Sequence, residues 1–248
     1  MIYAIKDLDL NNSRIVYGFI DNALDFKLEN KGARKELSGY IPAGFNKKDI
    51  YIYEVKQVHG NNIAVLNKDF RIKDGDDYYG LNLAEADGAF TQKTGVMLCV
   101  RTADCVPVLF YDRIKKVIGA VHCGWKGAYT GIITNAGNIL INCFQSNLDD
   151  VIIIIGPSIC KNCYEVKEDF VNKFIAKNTL NQKFFKSNTD KNNLFFDLKG
   201  FLKNELNING FNKKNIYDLN KCNFEDKKFY SYRRNKTDKR QVSFIIIN

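Results

Sequence analysis

Short apolar runs order this chain. Segments 50–55, 61–66, 96–100, 106–111, 117–121 and 151–155 are rich in β-branched and aromatic residues, and later runs at 215–219 and 242–247 share that character. Most are apolar at nearly every position, which is the pattern of buried strands. A second periodicity lies between them. From 129 to 144, Ile132, Ile133, Ala136, Ile139, Leu140 and Cys143 recur at helical spacing. Over 165–177, Val166, Phe170, Val171, Phe174 and Ile175 fall on one side of a predicted helix. Asp197 is placed to cap a third helix through Leu206, with Leu198, Phe201, Leu202 and Leu206 inward. The polar stretch 178–193 reads as a surface excursion. Strands dominate the first half and alternate with helices later. The fold class expected is therefore α+β, with 1–248 as a single domain.

The apolar share of 45% is ample for a core. The start meets charge at Lys6 and lacks a signal-length apolar stretch. No segment approaches the roughly 20 apolar residues of a membrane helix. The expectation is a cytoplasmic protein with no membrane partner. The formal charge of +9 is spread along the chain, and no nucleic-acid motif accompanies it. The one local basic concentration is Tyr232-Arg233-Arg234-Asn235-Lys236-Thr237-Asp238-Lys239-Arg240. No nucleic-acid partner is expected.

The chemistry concentrates in a few rare residues. Of seven cysteines, Cys99 and Cys143 sit in apolar runs and read as small core residues. Cys160-Lys161-Asn162-Cys163 is a lone C-x-x-C with no second pair beside it. There are only two histidines. His59 lies in Lys56-Gln57-Val58-His59-Gly60, and His122 in Ala120-Val121-His122-Cys123-Gly124-Trp125-Lys126-Gly127, which also carries the only tryptophan. Between them stands Thr102-Ala103-Asp104-Cys105-Val106-Pro107. His59, Cys105 and His122 each fall at or just after the end of an apolar run, where a rigid strand hands over to a loop. Two imidazoles and a thiolate form a zinc set of the catalytic kind, with three protein ligands and an open fourth position.

These blocks carry a resemblance. Together with Ala86-Asp87-Gly88, Ile155-Gly156-Pro157-Ser158-Ile159, Tyr164-Glu165-Val166 and Ser231-Tyr232-Arg233-Arg234, they resemble the YfiH-like family, also called the laccase-domain or multicopper-polyphenol-oxidase family. The resemblance implies layered mixed β-sheets flanked by helices, similar to cytotoxic-necrotizing-factor-like hydrolases. It implies zinc-dependent phosphorolysis of adenosine, inosine, guanosine and methylthioadenosine, and adenosine deamination, with a purine nucleoside and phosphate as partners. It maps the metal ligands onto His59, Cys105 and His122. The family commonly opens on a His-Gly-Phe-Ser-Thr-Arg-like block. This chain has Val16-Tyr17-Gly18-Phe19-Ile20-Asp21-Asn22 there, without the histidine and arginine.

Residue chemistry adds roles to that frame. Two histidines cannot build the copper cluster of a true laccase, although imidazole and thiolate could bind a single adventitious copper. Asp104, Cys105 and His122 are the expected catalytic residues, with Asp104 or Asp87 carrying a proton in deamination. Arg233 and Lys126 are expected to bind substrate phosphate, with Arg234 as a further cation. Gln57 and Asp104 could fix histidine tautomers. Two other readings stay open. Cys105 could be a nucleophile with His122 as its base, hydrolysing an amide, and the resemblance implies peptidoglycan precursors as its source. Alternatively, zinc closed by Cys123 could staple a non-catalytic binding module.

Overall fold

The computed structural model describes residues 1–5, 15–26, 31–41, 50–66, 84–188 and 193–247. The described chain runs β1 (Ile2–Tyr3), β2 (Ile15–Ile20), α1 (Lys31–Ser38), β3 (Tyr51–Tyr53), β4 (Ala64–Leu66), β5 (Gly88–Thr91), β6 (Val96–Thr102), β7 (Val106–Asp112) and β8 (Val117–Cys123). It continues through α2 (Trp125–Thr130), α3 (Ile132–Phe144), β9 (Val151–Ile155), β10 (Glu165–Val166), α4 (Glu168–Lys177), β11 (Phe185–Asn188), β12 (Asn193–Phe196), α5 (Leu198–Ile208), β13 (Ile216–Asp218), α6 (Tyr232–Asn235) and β14 (Gln241–Ile247). The fold is mixed α+β, with sheets flanked by helices.

Two large sheets form the body. One has the order β1-β2-β14-β6-β3, the other β13-β9-β7-β8-β5-β4. Each apolar strand serves both of its faces, which explains why the runs do not alternate with polar residues. In β6, Val96, Leu98 and Val100 face the other sheet, while Met97 and Cys99 join a separate cluster with Leu37 and Phe26. In β9, Ile152 and Ile154 face the first sheet, while Val151, Ile153 and Ile155 pack with Leu140 of α3 and Leu202 of α5. A smaller sheet, β10-β12-β11, lies beside them. Its Phe185 and Phe196 join Phe170 and Phe174 in an aromatic cluster, and Phe170 meets the Trp125 ring at 5.1 Å.

The predicted strands are present. Two predicted helices differ. The helix expected over 129–144 begins at Trp125 and is divided by the left-handed Gly131 (φ 92°) into α2 and α3. The helix expected over 165–177 gives its first two residues to β10, because Glu165 and Val166 pair with Phe195 and Leu194. Asp197 caps α5 as expected, its side chain accepting from Gly200 N. The stretch 178–193 is more than a surface excursion. It forms a 3-10 turn, Thr179–Phe184, and then β11, and it buries Asn181 and Phe184. Positions 189–192 lie outside the described residues. Among the described residues, no helix is long and apolar enough to cross a membrane.

This topology gathers the motifs. The link from β6 to β7 passes from one sheet to the other through Ala103, Asp104 and Cys105. β8 pairs antiparallel with β7, setting His122 opposite Pro107. β5 flanks β8, setting Gly88 opposite Val121. Thus the end of β8, the start of β7 and Asp87 meet at one edge of the sandwich.

Candidate active site and metal centre

His59 sits on a turn that a single carboxylate organises. Asp87 is fully buried and accepts from the backbone N of His59 at 2.9 Å, of Gly60 at 2.6 Å and of Val58 at 3.3 Å. His59 has φ 61°, a left-handed conformation uncommon for histidine. The three backbone bonds to Asp87 hold it there. α2 packs against the turn so closely that a Cβ on Gly127 would clash with the Gly60 carbonyl oxygen.

Cys105 leaves a second constrained turn. Asp104 has φ 97°, and its carboxylate accepts from Ser231 Oγ at 2.7 Å and from Arg233 N at 2.6 Å. Both oxygens therefore tie the C-terminal arm, including α6, to the β6–β7 link. Strained turns of this kind persist only where surroundings over-determine them, and they cluster at functional sites.

His122 completes the group. By strand parity it shares the face of Ile118 and Ala120, at the end of β8. Its Nδ1 lies 2.8 Å from Asp87 Oδ1. The carboxylate can only accept, so Nδ1 carries a hydrogen, and Nε2 is the nitrogen whose lone pair a metal would take once its own proton leaves. The ligand atoms of His59, Cys105 and His122 lie within 4.8 Å of one another. Gly124 borders them: a Cβ there would meet Cys105 Sγ and His59 Cδ2 at 3.2 Å. Both distances are tight for a Cβ, so a side chain at 124 would require the trio to give by a few tenths of an ångström. Two imidazoles, one thiol and a tautomer-fixing carboxylate fit zinc of the three-ligand type.

Cys123 does not close this group. It faces the opposite side of β8, in the apolar cluster with Val121, Ala128 and Ile132. Burial, with the nearby charges of Cys105 and Asp87, pushes its thiol up. Among the described residues, no fourth His, Cys, Asp or Glu atom joins the trio.

The trio is also an acid–base pair. Burial pushes the Cys105 thiol up, but the charge of His122 and hydrogen bonds from His122 and His59 outweigh it and bring it to about 6. Burial pushes His122 down, while the Cys105 charge and the Asp87 hydrogen bond carry it to about 9. In metal-free protein the pair is thiolate–imidazolium between those values. Alkylation of Cys105, followed by peptide mass spectrometry, should therefore rise with a midpoint near pH 6. An ordinary thiol would give about 8.5; a midpoint there would refute the pairing.

A cavity of about 610 Å³ opens over the trio. Arg101, Arg233 and Arg240 supply cations to its lining, and Trp125, Tyr164 and Tyr232 supply aromatic surface. Arg233 is held by a 2.6 Å bond from Nη1 to the Glu165 carbonyl and lies 5.3 Å from the Tyr164 ring centre. Two of the expected cations sit elsewhere. Arg234 is a structural clasp, donating to the carbonyls of Asn223, Phe224 and Phe229. Lys126 is exposed on α2, 5.8 Å from the Trp125 ring centre, and does not line the cavity. Gln57 lines the cavity and exchanges two hydrogen bonds with the backbone of Arg101. Asp87, not Gln57 or Asp104, fixes the tautomer. Asp104, which holds Ser231 and Arg233, also lines the cavity.

The profile of the family described as multi-copper polyphenol oxidoreductase laccase matches residues 34–248. The chain belongs to that family. Among its relatives, a purine nucleoside phosphorylase of Rickettsia conorii is 35% identical over 88% of this chain and 81% of its own length. The purine nucleoside phosphorylase YfiH of Escherichia coli is 29% identical over 77% of this chain and 72% of its own. The crystal structure of a Bacillus licheniformis protein, YfiH, superposes with a TM-score of 0.81 at 25% identity, covering 100% of this chain and 96% of that one. In this laccase-family chain the opening block lacking histidine and arginine forms β2. Tyr17 and Phe19 are buried between the sheets, and neither lines the cavity. No motif marks Arg101, and Arg240 is the last residue of the basic concentration 232–240.

Proposed function

We propose that this protein is a cytoplasmic, zinc-dependent enzyme of purine nucleosides, cleaving them with phosphate and also deaminating adenosine. One observation carries the reading: the His59–Cys105–His122 trio lies at a cavity lined by three arginines and three aromatic rings. The names of the relatives support the substrate class. All seven cysteines are free thiols, which fits a reducing compartment.

Zinc, when bound by the trio, supplies a Lewis acid beside the reacting atoms. The chain supplies the rest. Arg233, aided by Arg101 and Arg240, holds phosphate through paired N–H donors. Trp125, Tyr164 and Tyr232 offer faces and edges to the purine. In phosphorolysis a phosphate oxygen bonds to ribose C1′ as the bond to the purine nitrogen breaks. The purine keeps the electron pair and takes up a proton. Asp104 holds Arg233 in place through its backbone N.

The test is metal analysis with a substrate panel. Purified protein should carry zinc and release hypoxanthine from inosine only with phosphate. It should convert adenosine to inosine without phosphate. No purine release and no deamination by zinc-loaded protein would overturn the proposal. Arg233→Ala should raise KM for phosphate about tenfold to hundredfold, the worth of one charged hydrogen-bonding partner, while leaving KM for inosine within about threefold. Equal losses in both would remove Arg233 from the phosphate site.

The thiolate–imidazolium pair favours one competing reading, a cysteine hydrolase acting on an amide. Amide cleavage that survives chelation and stops on alkylation of Cys105 would support it.

A further inference from the structure

A second cluster of metal-binding side chains lies beside the cavity. The sulfurs of Cys160, Cys163 and Cys222 and a carboxylate oxygen of Glu225 all lie within 4.8 Å of one another. Cys160 Sγ is 3.4 Å from Cys163 Sγ, and Glu225 Oε1 is 3.5 Å from Cys163 Sγ and 3.8 Å from Cys160 Sγ. A tetrahedron of sulfurs about 2.3 Å from zinc has edges of about 3.8 Å. The observed spacings are close to those edges.

The two halves of the cluster share one spacing. Cys160-Lys161-Asn162-Cys163 is matched by Cys222-Asn223-Phe224-Glu225, so each half offers ligands three residues apart. Each half is a hydrogen-bonded turn, with Cys163 N donating to Cys160 O at 3.0 Å and Asp226 N to Cys222 O at 2.9 Å. The turns are fastened together. Ser158 bridges Cys222, Asn223 N donates to Ser158 O, and Cys160 N points at Cys222 Sγ at 3.4 Å.

We propose that Cys160, Cys163, Cys222 and Glu225 form a second, structural zinc site. Four protein ligands close the coordination sphere, which distinguishes it from the three-ligand trio. Binding would release the three thiol protons, and the minus four of three thiolates and a carboxylate would become minus two with the zinc ion. Lys161 and Lys221, lining the adjoining cavity, offset that charge. The site would staple the loop after β9 to the segment before α6. The first carries Ile159 and Tyr164 into the substrate cavity, and the second holds Arg234 through Asn223 and Phe224.

The test removes the trio first, so that its outcome does not depend on the catalytic reading. Full-length His59→Ala/Cys105→Ala protein, prepared metal-free under reducing conditions, is titrated with Co²⁺. One equivalent should bind, with tetrahedral visible bands and thiolate-to-cobalt charge-transfer absorption. Zn²⁺ should displace it and raise Tm by several degrees. Adding Cys160→Ser should abolish both effects. Glu225→Cys guards against a folding failure: it should still bind one equivalent, with charge-transfer absorption raised by about one third as three thiolates become four. No cobalt binding by the double variant would overturn the proposal. So would a Cys160–Cys163 disulfide that persists in reductant.

Discussion

Cys105→Ala should remove the metal from the trio and lower phosphorolysis and deamination together, by about a thousandfold or more. The size follows from what is lost. The variant leaves two imidazoles, and two neutral ligands hold zinc far less firmly than a set containing a thiolate. A bound metal supplies several kcal/mol of transition-state stabilisation, and about 4 kcal/mol corresponds to a thousandfold. The fold should tolerate the change. Cys105 is only partly buried, and Asp104 makes the bonds to Ser231 and Arg233 without it. The measurements are zinc content, turnover of inosine and adenosine, and Tm. Full zinc occupancy with full turnover would sink the ligand assignment. Cys105→Ser separates the competing readings further. A hydroxyl is a poor zinc ligand and a poor replacement for a thiolate nucleophile, so both readings predict inactivity. Only the metal reading predicts that zinc is lost with it.

Much of this arrangement was legible in the sequence, for a physical reason. Strands covered on both faces must be apolar throughout, so β6, β7, β8 and β9 announced themselves. Scarce residues did the same for the trio, because a chain with two histidines offers few ways to build a nitrogen-containing metal site. What stayed hidden depends on long-range pairing. β5 is four residues long, and nothing local marks Asp87, just before it, as the partner of His122 on a neighbouring strand. Helix periodicity ran through Gly131 because the apolar positions on either side of it continue; only the backbone angle shows the break. Lys126 looked like a phosphate ligand from its motif alone, yet its place on α2 directs it to the surface. The C-x-x-C is solitary as a motif because the segment facing it, Cys222-Asn223-Phe224-Glu225, ends in glutamate, a residue too common to stand out.

Asp87→Asn tests the second centre of the site, and it should damage metal binding more than fold. The carboxylate accepts from four donors: His122 Nδ1 and the backbone N of Val58, His59 and Gly60. An amide has one oxygen and one donor group. If its oxygen faces His122 and His59, its NH₂ meets the Gly60 N–H, donor against donor at a site where the present bond is 2.6 Å. If it is flipped, NH₂ points at His122 Nδ1, which must then accept. That moves the imidazole hydrogen to Nε2, the nitrogen otherwise available to the metal. Either orientation loses something. We expect zinc affinity to fall about tenfold to hundredfold, measured by chelator competition. An unpaired buried donor costs about 1–3 kcal/mol, so Tm should drop by about 3–10 °C. The pH dependence supplies a check. Burial pushes the Asp87 carboxyl up, but the hydrogen bond and charge of His122 and the N–H groups of Gly60 and His59 bring it below the ordinary aspartate value. A carboxyl lowered in the folded state contributes stability above its unfolded pKa, about 3.9, and loses it as pH falls through the folded one. The asparagine variant has no such group. The stability gap between wild type and variant should therefore be widest near neutrality and narrow as pH falls below about 4. A gap independent of pH would mean that Asp87 acts by shape alone, and that its charge does not set the state of His122.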